Sequence, residues 1–253
     1  MGFNESMMRK AVVLAAGRGT RLGSLTDDRP KPMVPIGCKP ILEHVMDRLV
    51  LGAYTDALIV TGYHAEMVEG YFRDYPMRIQ FRRQDVPNGT ASAALLGREF
   101  CGPDAFLLVY GDCLAEAESY RGILDVLERD PEAEAALAVR DVDDPFQGAA
   151  VYVEDGRIVR IIEKPPKGTS TTRWNSAGFY SFRPSIFDEL ARVPLSPRGE
   201  YELTHAVEVL LSRGRVLRHF PVEGFWRDIG RPEDIDAVLQ EELGPANGAT
   251  SSL

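Results

Sequence analysis

Short apolar runs alternate with helix-like stretches in the first half of the chain. Four of these runs are apolar on both faces, as are strands inside a parallel sheet: AVVLAA from Ala11, DALIVTGY from Asp56, MRIQFR from Met77 and AFLLVYGD from Ala105. Helices are predicted at residues 40–49, 66–73, 91–97 and 120–129, the first of which opens at a proline and repeats its apolar residues at helical spacing. This pattern predicts a parallel sheet with right-handed crossover connections.

The pattern changes after Pro131. ALAVRD, GAAVYVEDGRIVRIIEKP and NSAGFYSFRP are typical of strands, and Asp155-Gly156 predicts a two-residue hairpin turn. A helix at residues 201–212, a strand at 215–220 and a helix after Pro232 complete the pattern. The whole chain therefore predicts a Rossmann-like, three-layer α/β/α fold around a mixed, mainly parallel sheet.

Composition narrows the class of protein. A length of 253 residues with 44% hydrophobic content is enough for one large core. The formal charge of −9 opposes nucleic-acid binding, which normally needs a broad basic face. A small anionic ligand is still compatible with this charge, because it requires only a few cations in one cleft.

The targeting and cysteine patterns indicate a cytoplasmic protein. The N-terminal segment MGFNESMMRK is polar, and no run of about 18 apolar residues occurs, so neither a leader nor a membrane span is expected. Cys38, Cys101 and Cys113 are widely spaced and odd in number, which predicts neither a disulfide framework nor a zinc cluster. The histidines have no ligand-like spacing and are assigned no catalytic role, and Cys113 is expected to be a buried structural thiol.

The loop after the first strand carries the candidate chemistry. In LAAGRGTRLG, glycines at a strand-to-turn junction let backbone N–H groups approach phosphate oxygens, although a two-glycine loop alone is equally compatible with a tight turn. The spacing matches neither the dinucleotide fingerprint nor the P-loop. Further along, Lys31 lies between Pro30 and Pro32, which restrict the backbone on both sides of it.

LAAGRGTRL followed by RPKPMVPIGCKPILEHV resembles the signature of the sugar-phosphate nucleotidyltransferases, also called NDP-sugar pyrophosphorylases. QDVPNGTASA, VYGD, EKP, NSAGFY and WRDIGRPEDI follow in that family's order, so the resemblance covers roughly residues 10 to 240. It implies a fold of the nucleotide-diphospho-sugar transferase type in one domain over residues 1–243. A nucleotide-binding part at about 10–130 and a sugar-binding part at about 131–230 are expected within it, and residues 244–253 are expected to form a disordered tail.

The reaction implied by the resemblance condenses an NTP with a sugar 1-phosphate, giving an NDP-sugar and pyrophosphate by direct in-line attack on the α-phosphorus. Because negative charges converge in such a step, catalysis is expected to depend on positioning, cations and Mg²⁺ rather than on a nucleophilic side chain. By resemblance, Arg21 binds the β- and γ-phosphates and Lys31 the α-phosphate region. Asp112, at the carboxyl end of a predicted strand, is the third catalytic residue and holds Mg²⁺ with Asp228.

The resemblance also assigns binding residues along the chain. The expected nucleotide contacts are Leu14, Ala16, Gly17, Gly19, Thr20, Arg21, Gln84, Gly89 and Thr90. The expected contacts to the sugar phosphate are Gly148, Glu163, Lys164, Asn175 and Ala177. Among these, Gly148 is expected to leave room for the hexose, and Lys164 is expected to meet the sugar's phosphate.

Two other functions stay open at this point. One is a cytidylyltransferase that acts on a non-sugar phosphate or a phosphonate, and the other is a catalytically silent regulatory subunit that binds NDP-sugars. Intact Arg21, Lys31, Asp112, Lys164 and Asp228 oppose the silent subunit. The sequence identifies neither the base nor the sugar. Larger relatives carry a C-terminal β-helix, for which this chain is expected to be too short, and a homo-oligomer is compatible with the resemblance.

Overall fold

The computed structural model of the chain describes residues 9–243, and the predicted tail at 244–253 lies outside them. The strands, numbered in chain order, are β1 Lys10–Leu14, β2 Pro35–Ile36, β3 Lys39–Pro40, β4 Asp56–Thr61, β5 Arg78–Arg83, β6 Phe106–Tyr110, β7 Cys113–Ala115, β8 Ala133–Asp141, β9 Ala149–Glu154, β10 Arg157–Glu163, β11 Trp174–Phe182, β12 Val216–Pro221 and β13 Trp226–Asp228. The helices are α1 Ile41–Leu51, α2 Ala65–Tyr71, α3 Thr90–Leu95, α4 Arg98–Cys101, α5 Ala117–Arg129, α6 Ile186–Leu190, α7 Leu203–Ser212 and α8 Pro232–Leu243. Short 3-10 turns lie at Thr20–Thr26, Lys31–Met33 and Pro145–Gln147.

A nine-stranded sheet in the order β5-β4-β1-β6-β11-β8-β12-β10-β9 separates two hydrophobic cores. Strands β5, β4, β1 and β6 are parallel, as the alternation of strands and helices predicts. The residues of α1 that were expected on one helical face, Ile41, Val45 and Leu49, are fully buried in the first core. The predicted Rossmann-like α/β fold is confirmed.

Strand β5 corrects one expectation. The segment that begins at Met77 forms a strand, but β5 lies at the edge of the sheet and none of its residues is buried. Arg82 and Arg83 are exposed along it. The prediction that this strand is apolar and buried on both faces was therefore wrong, and charged side chains are a common protection for a strand that has only one neighbour.

The second half makes the sheet mixed, as predicted. Strand β11 is antiparallel to both β6 and β8, whereas β12 is parallel to β8. Strands β9 and β10 form a hairpin whose turn residues Asp155 and Gly156 have φ angles of 47° and 76°. Two consecutive positive φ angles are what a type I′ turn requires, so the predicted hairpin is confirmed.

Candidate active site

Two adjoining clefts open near the carboxyl ends of β1 and β6, where open α/β sheets bind their ligands. The smaller cleft has a volume of about 290 Å³ and the larger about 480 Å³. Four residues line both clefts: Thr90, Tyr110, Asp112 and Glu200. The two clefts therefore meet at the end of β6.

Lys31 and Asp112 form an ion pair where the clefts meet. Lys31 belongs to a 3-10 turn that follows Pro30, and the lysine is only 7% exposed. Gly19 has a φ of 80°, and a Cβ built on it would lie 2.4 Å from Cβ of Lys31. The glycine therefore lets the loop lie directly against the lysine. Of the predicted loop contacts, Gly17 lines the smaller cleft, whereas Gly19 and Thr20 line neither cleft.

A second, small sheet brings the two predicted metal ligands together. Strands β7 and β13 are antiparallel, with Asp228 opposite Cys113, the residue that follows Asp112. The N–H of Ile229 donates to the carbonyl of Asp112 over 2.9 Å. Asp228 is exposed at the cleft, yet the protein around its carboxylate and the charge of Asp112 raise its pKa to about 6. Asp112 and Asp228 thus share one corner of the larger cleft.

Arg21 approaches this corner from the glycine loop. It is exposed, lines the larger cleft and passes close to Gly230, where a Cβ would lie 3.5 Å from Nη1 of the arginine. Its positive charge, like that of Lys31, opposes the rise in the pKa of Asp228. Two cations therefore lie close to the two carboxylates.

The smaller cleft is lined by residues predicted to contact the nucleotide, namely Leu14, Ala16, Gly17, Gln84, Gly89 and Thr90. The side-chain amide of Gln84 donates to the carbonyl of Gly89 over 3.0 Å and to Oγ of Ser92 over 2.9 Å. Gly89 has a φ of 123°, and a Cβ on it would lie 2.3 Å from the carbonyl oxygen of Tyr201. A glycine is therefore required where this loop packs against the segment before α7.

The larger cleft contains every residue predicted for the sugar phosphate, namely Gly148, Glu163, Lys164, Asn175 and Ala177. A Cβ on Gly148 would lie 2.3 Å from Oδ1 of Asn175. A Cβ on Gly148 would therefore overlap this amide, and the expectation that the glycine leaves room for a hexose stays a prediction. Among the described residues, none donates a hydrogen bond to the buried Oδ1 of Asn175.

Lys164 adopts an unusual backbone conformation at the edge of the larger cleft. Its φ is 42°, which is uncommon for a residue with a side chain, and its N–H donates to the carbonyl of Gly148 over 2.7 Å. The buried Pro165 follows it. The hydrogen bond and the proline together hold the lysine beside the cleft.

An arginine that the sequence analysis did not single out completes the charges of the larger cleft. Arg198, in the loop before α7, lies 3.3 Å from Glu163 and 3.0 Å from Glu202. Burial raises the pKa of Glu163, and the charge of Arg198 opposes that rise. The charged run PRGEYE between two apolar segments was the available signal.

The remaining expectations concern histidines, cysteines and membranes. His44 has Nε2 3.0 Å from the carbonyl of Ile36, and burial raises the pKa of the Cys113 thiol well above its usual range. Within residues 9–243, no three His, Cys, Asp or Glu side chains are grouped to hold a metal ion. Nor is any helix over the same residues long and apolar enough to cross a bilayer.

A Rossmann-like sheet with paired clefts at its carboxyl edge places the chain in the class of α/β proteins that bind ligands at that edge. The family model described as Nucleotidyl transferase matches residues 10–243. The chain therefore belongs to the nucleotidyltransferase family.

Relatives agree with that assignment. The chain is 39% identical over 248 residues to the UTP–glucose-1-phosphate uridylyltransferase AglF of Haloferax volcanii, a match that covers 94% of this chain and 99% of AglF. It is 36% identical over 226 residues to the bifunctional protein GlmU of Methanococcus maripaludis, covering 89% of this chain and 52% of GlmU. The chain thus spans about half the length of the GlmU relatives it matches.

The solved structure of a UDP-glucose pyrophosphorylase from Acinetobacter baumanii has the same fold. It superimposes with a TM-score of 0.83 over 95% of each chain, at 22% sequence identity. At this identity the likeness extends to the fold alone.

Proposed function

We propose that this chain condenses an NTP with a sugar 1-phosphate to give an NDP-sugar and pyrophosphate. The observation that carries the proposal is the meeting of two clefts at the Lys31–Asp112 pair, with Arg21 and Asp228 beside it. The smaller cleft suits a nucleoside, and the larger cleft, rich in charged and polar groups, suits a phosphorylated sugar. The 39% identity with AglF over nearly its whole length supports this assignment.

The reaction needs no nucleophilic side chain. An oxygen of the sugar's phosphate attacks the α-phosphorus of the NTP, forming a new P–O bond while the bond between the α-phosphorus and the bridging oxygen breaks. Lys31 would neutralise charge at the α-phosphate, and Arg21 would bind the departing pyrophosphate. Lys164 would hold the attacking phosphate from the larger cleft. The chain's contribution is then alignment and charge neutralisation.

Asp112 and Asp228 fit a magnesium ion. They offer carboxylate oxygens at one corner, and their crowding contributes to the raised pKa of Asp228, so a cation there would relieve an electrostatic cost. Asp112 and Asp228 would hold the Mg²⁺, which would supply further charge neutralisation. In this proposal the two aspartates have no other chemical role.

The amide of Gln84 offers a hydrogen-bond acceptor to the base. Its N–H groups donate hydrogen bonds to the carbonyl of Gly89 and to Oγ of Ser92. The side-chain oxygen of Gln84 is then the group available to a ligand. An acceptor can pair with the N3–H of uracil or thymine, and equally with the amino group of cytosine or adenine or the N1–H of guanine. We propose UTP or dTTP as the nucleotide, because the relative AglF, which is 39% identical over nearly its whole length, is a UTP–glucose-1-phosphate uridylyltransferase.

The test measures pyrophosphate release with each of the common NTPs and a panel of sugar 1-phosphates, phosphocholine and a phosphonate, with and without Mg²⁺. We expect Mg²⁺-dependent release with UTP or dTTP and a sugar 1-phosphate, and none when the sugar is omitted. Turnover confined to CTP with phosphocholine or the phosphonate would establish the cytidylyltransferase instead. Thermal stabilisation by NDP-sugars without release from any pair would establish the silent subunit.

A further inference from the structure

Strand β11 carries a bulge beside the two aspartates. Its pairing with β8 shifts register between Ser176 and Tyr180, and Gly178 within that stretch has a φ of 79°. A bulge removes backbone groups from the regular ladder. Ala177 lies in this stretch and has no register partner in the neighbouring strands, and its carbonyl accepts hydrogen bonds from two side chains.

Two side chains donate to this one carbonyl. The thiol of Cys113, the residue after Asp112, is one donor, and the indole Nε1 of Trp226 is the other, at 2.8 Å. Trp226 lies two residues before Asp228 on β13. Strand β13, which carries Asp228, and strand β7, which begins one residue after Asp112, are therefore both tied to the same backbone atom of the main sheet.

Gly178 makes room for the first of these bonds. A Cβ on it would lie 2.8 Å from Sγ of Cys113 and 3.3 Å from the ring of Tyr110. The first contact is not compatible with the observed position of the thiol, and the second would require the ring to shift by a few tenths of an ångström. The bulge thus supplies both the free carbonyl and the space that lets the thiol reach it.

We propose that the carbonyl of Ala177, with the donors Cys113 and Trp226, forms a carbonyl clamp that sets the separation of Asp112 and Asp228 for a divalent cation. This inference rests on the proposed function, which assigns the cation to these aspartates. Cys113 and Trp226 act in it as positioning residues. Removing groups that orient metal ligands typically weakens metal binding by about 10- to 100-fold.

The test measures Mn²⁺ binding to the free protein by electron paramagnetic resonance of unbound Mn²⁺, without nucleotide or sugar. Cys113→Val keeps an apolar side chain but cannot donate, and Trp226→Phe keeps an aromatic ring but cannot donate. We expect each to raise the Kd for Mn²⁺ by about 10-fold or more. Cys113→Ser retains a donor and is expected to stay within about 3-fold of the wild type.

The matched controls are Cys101→Val, a fully buried cysteine outside both clefts, and Trp174→Phe, the other tryptophan of the chain. We expect both to bind Mn²⁺ as the wild type does. Unchanged binding in Cys113→Val, or equal weakening in Cys113→Val and Cys113→Ser, would overturn the carbonyl clamp. If the wild type neither binds Mn²⁺ nor releases pyrophosphate, the proposed function fails and the clamp with it.

Pyrophosphate release separates the two proposals further. A wild type that turns over with Mg²⁺ while the clamp variants bind Mn²⁺ normally refutes the clamp alone. For a true clamp, added Mg²⁺ is expected to restore most of the turnover of Cys113→Val, because the aspartates themselves are intact. A loss of stability alone would instead lower the melting temperature without raising the Mg²⁺ concentration needed for half-maximal rate.

Discussion

The two clefts differ in what lines them. The smaller cleft belongs mainly to the parallel half of the sheet, and its wall consists largely of small residues, glycines and prolines with few charges. The larger cleft belongs mainly to the mixed half, and six of its lining residues are carboxylates: Asp112, Asp144, Glu163, Glu200, Glu202 and Asp228. Arg21, Lys164 and Arg198 are the cations among the residues that line it.

This difference separates two ways of recognising a ligand. In the smaller cleft, glycines let the backbone come close to a ligand, so the shape of the wall determines which ligand fits. Adding a methyl group to such a glycine is therefore expected to impair binding. In the larger cleft, charged groups are crowded and partly buried, so their protonation and ion pairing determine which ligand binds. Replacing one of them with a neutral residue of the same shape therefore tests its role best. Lys31 and Asp112 lie where the two clefts meet, so substitutions of these residues should affect the binding of both substrates.

The largest effect is expected from Asp112→Asn, which removes a charge shared by both clefts. We expect the rate of pyrophosphate release to fall about 1,000-fold or more, because a cation site and the partner of Lys31 are lost together. Circular dichroism should show the fold retained. The control is Asp104→Asn, which removes the partner of Lys10, 2.8 Å away, outside both clefts. Unchanged turnover in Asp112→Asn would remove the metal assignment.

Gly19→Ala tests whether close packing of the glycine loop positions Lys31. The new Cβ would overlap Lys31 and would sit on a backbone with a φ of 80°, so the lysine must move away from Asp112. A misplaced positioning group typically costs about 100-fold in rate. Gly70→Ala, on α2 where a Cβ meets open space, should leave the rate unchanged. A rate for Gly19→Ala near that of the wild type would show that Lys31 does not need this packing.

Structural features that depend on a short segment of the chain were predictable from the sequence. The strands, the crossover helices and the Asp155-Gly156 turn each depend on the periodicity or turn chemistry of a short segment. The edge position of β5 was missed: its exposed arginines are typical of an edge strand, but the order of strands in the sheet depends on tertiary pairing, which a local pattern does not encode.

In the candidate site, too, features encoded in local motifs were predictable and features that depend on tertiary packing were not. Family motifs predicted many of the residues that line the two clefts, but Gly19 and Thr20 line neither and Arg198 was missed, and the roles of all of them stay predictions. The β7–β13 pairing joins residues more than a hundred positions apart, which no local pattern encodes. The contact of Gly148 with Asn175 and the ion pair of Arg198 with Glu163 likewise depend on tertiary packing.

Gln84→Leu is expected to have a smaller effect, limited to one of the two substrates. It removes an amide from the smaller cleft, and the loss of one or two hydrogen bonds should raise the KM for the NTP about 10-fold while the KM for the sugar 1-phosphate stays the same. Asn175→Ala in the larger cleft should give the reverse pattern. Equal changes in both KM values for Gln84→Leu would contradict separate binding regions.

The smallest effect concerns stability, and Glu163→Gln is the variant that reveals it. Because burial raises the pKa of Glu163 in the folded state, its contribution to stability is present below the pKa of an unfolded glutamate and is lost as the pH rises through the folded pKa. At neutral pH the ionised carboxylate therefore destabilises the fold. Glutamine avoids that charge, and Arg198 keeps Glu202 as a partner.

We expect Glu163→Gln to melt about 2 °C higher than the wild type at neutral pH, on the scale of less than 1 kcal/mol for a chain of this size. This difference in melting temperature should shrink as the pH falls towards the usual pKa of glutamate. The variant is also expected to have a higher KM for the sugar 1-phosphate than the wild type. Asp56→Asn is the control of opposite sign, because Arg78 lowers the pKa of Asp56 and its stabilisation is lost only as the pH falls. A lower melting temperature for Glu163→Gln at neutral pH would mean that the ion pair with Arg198 outweighs the cost of burying the charge.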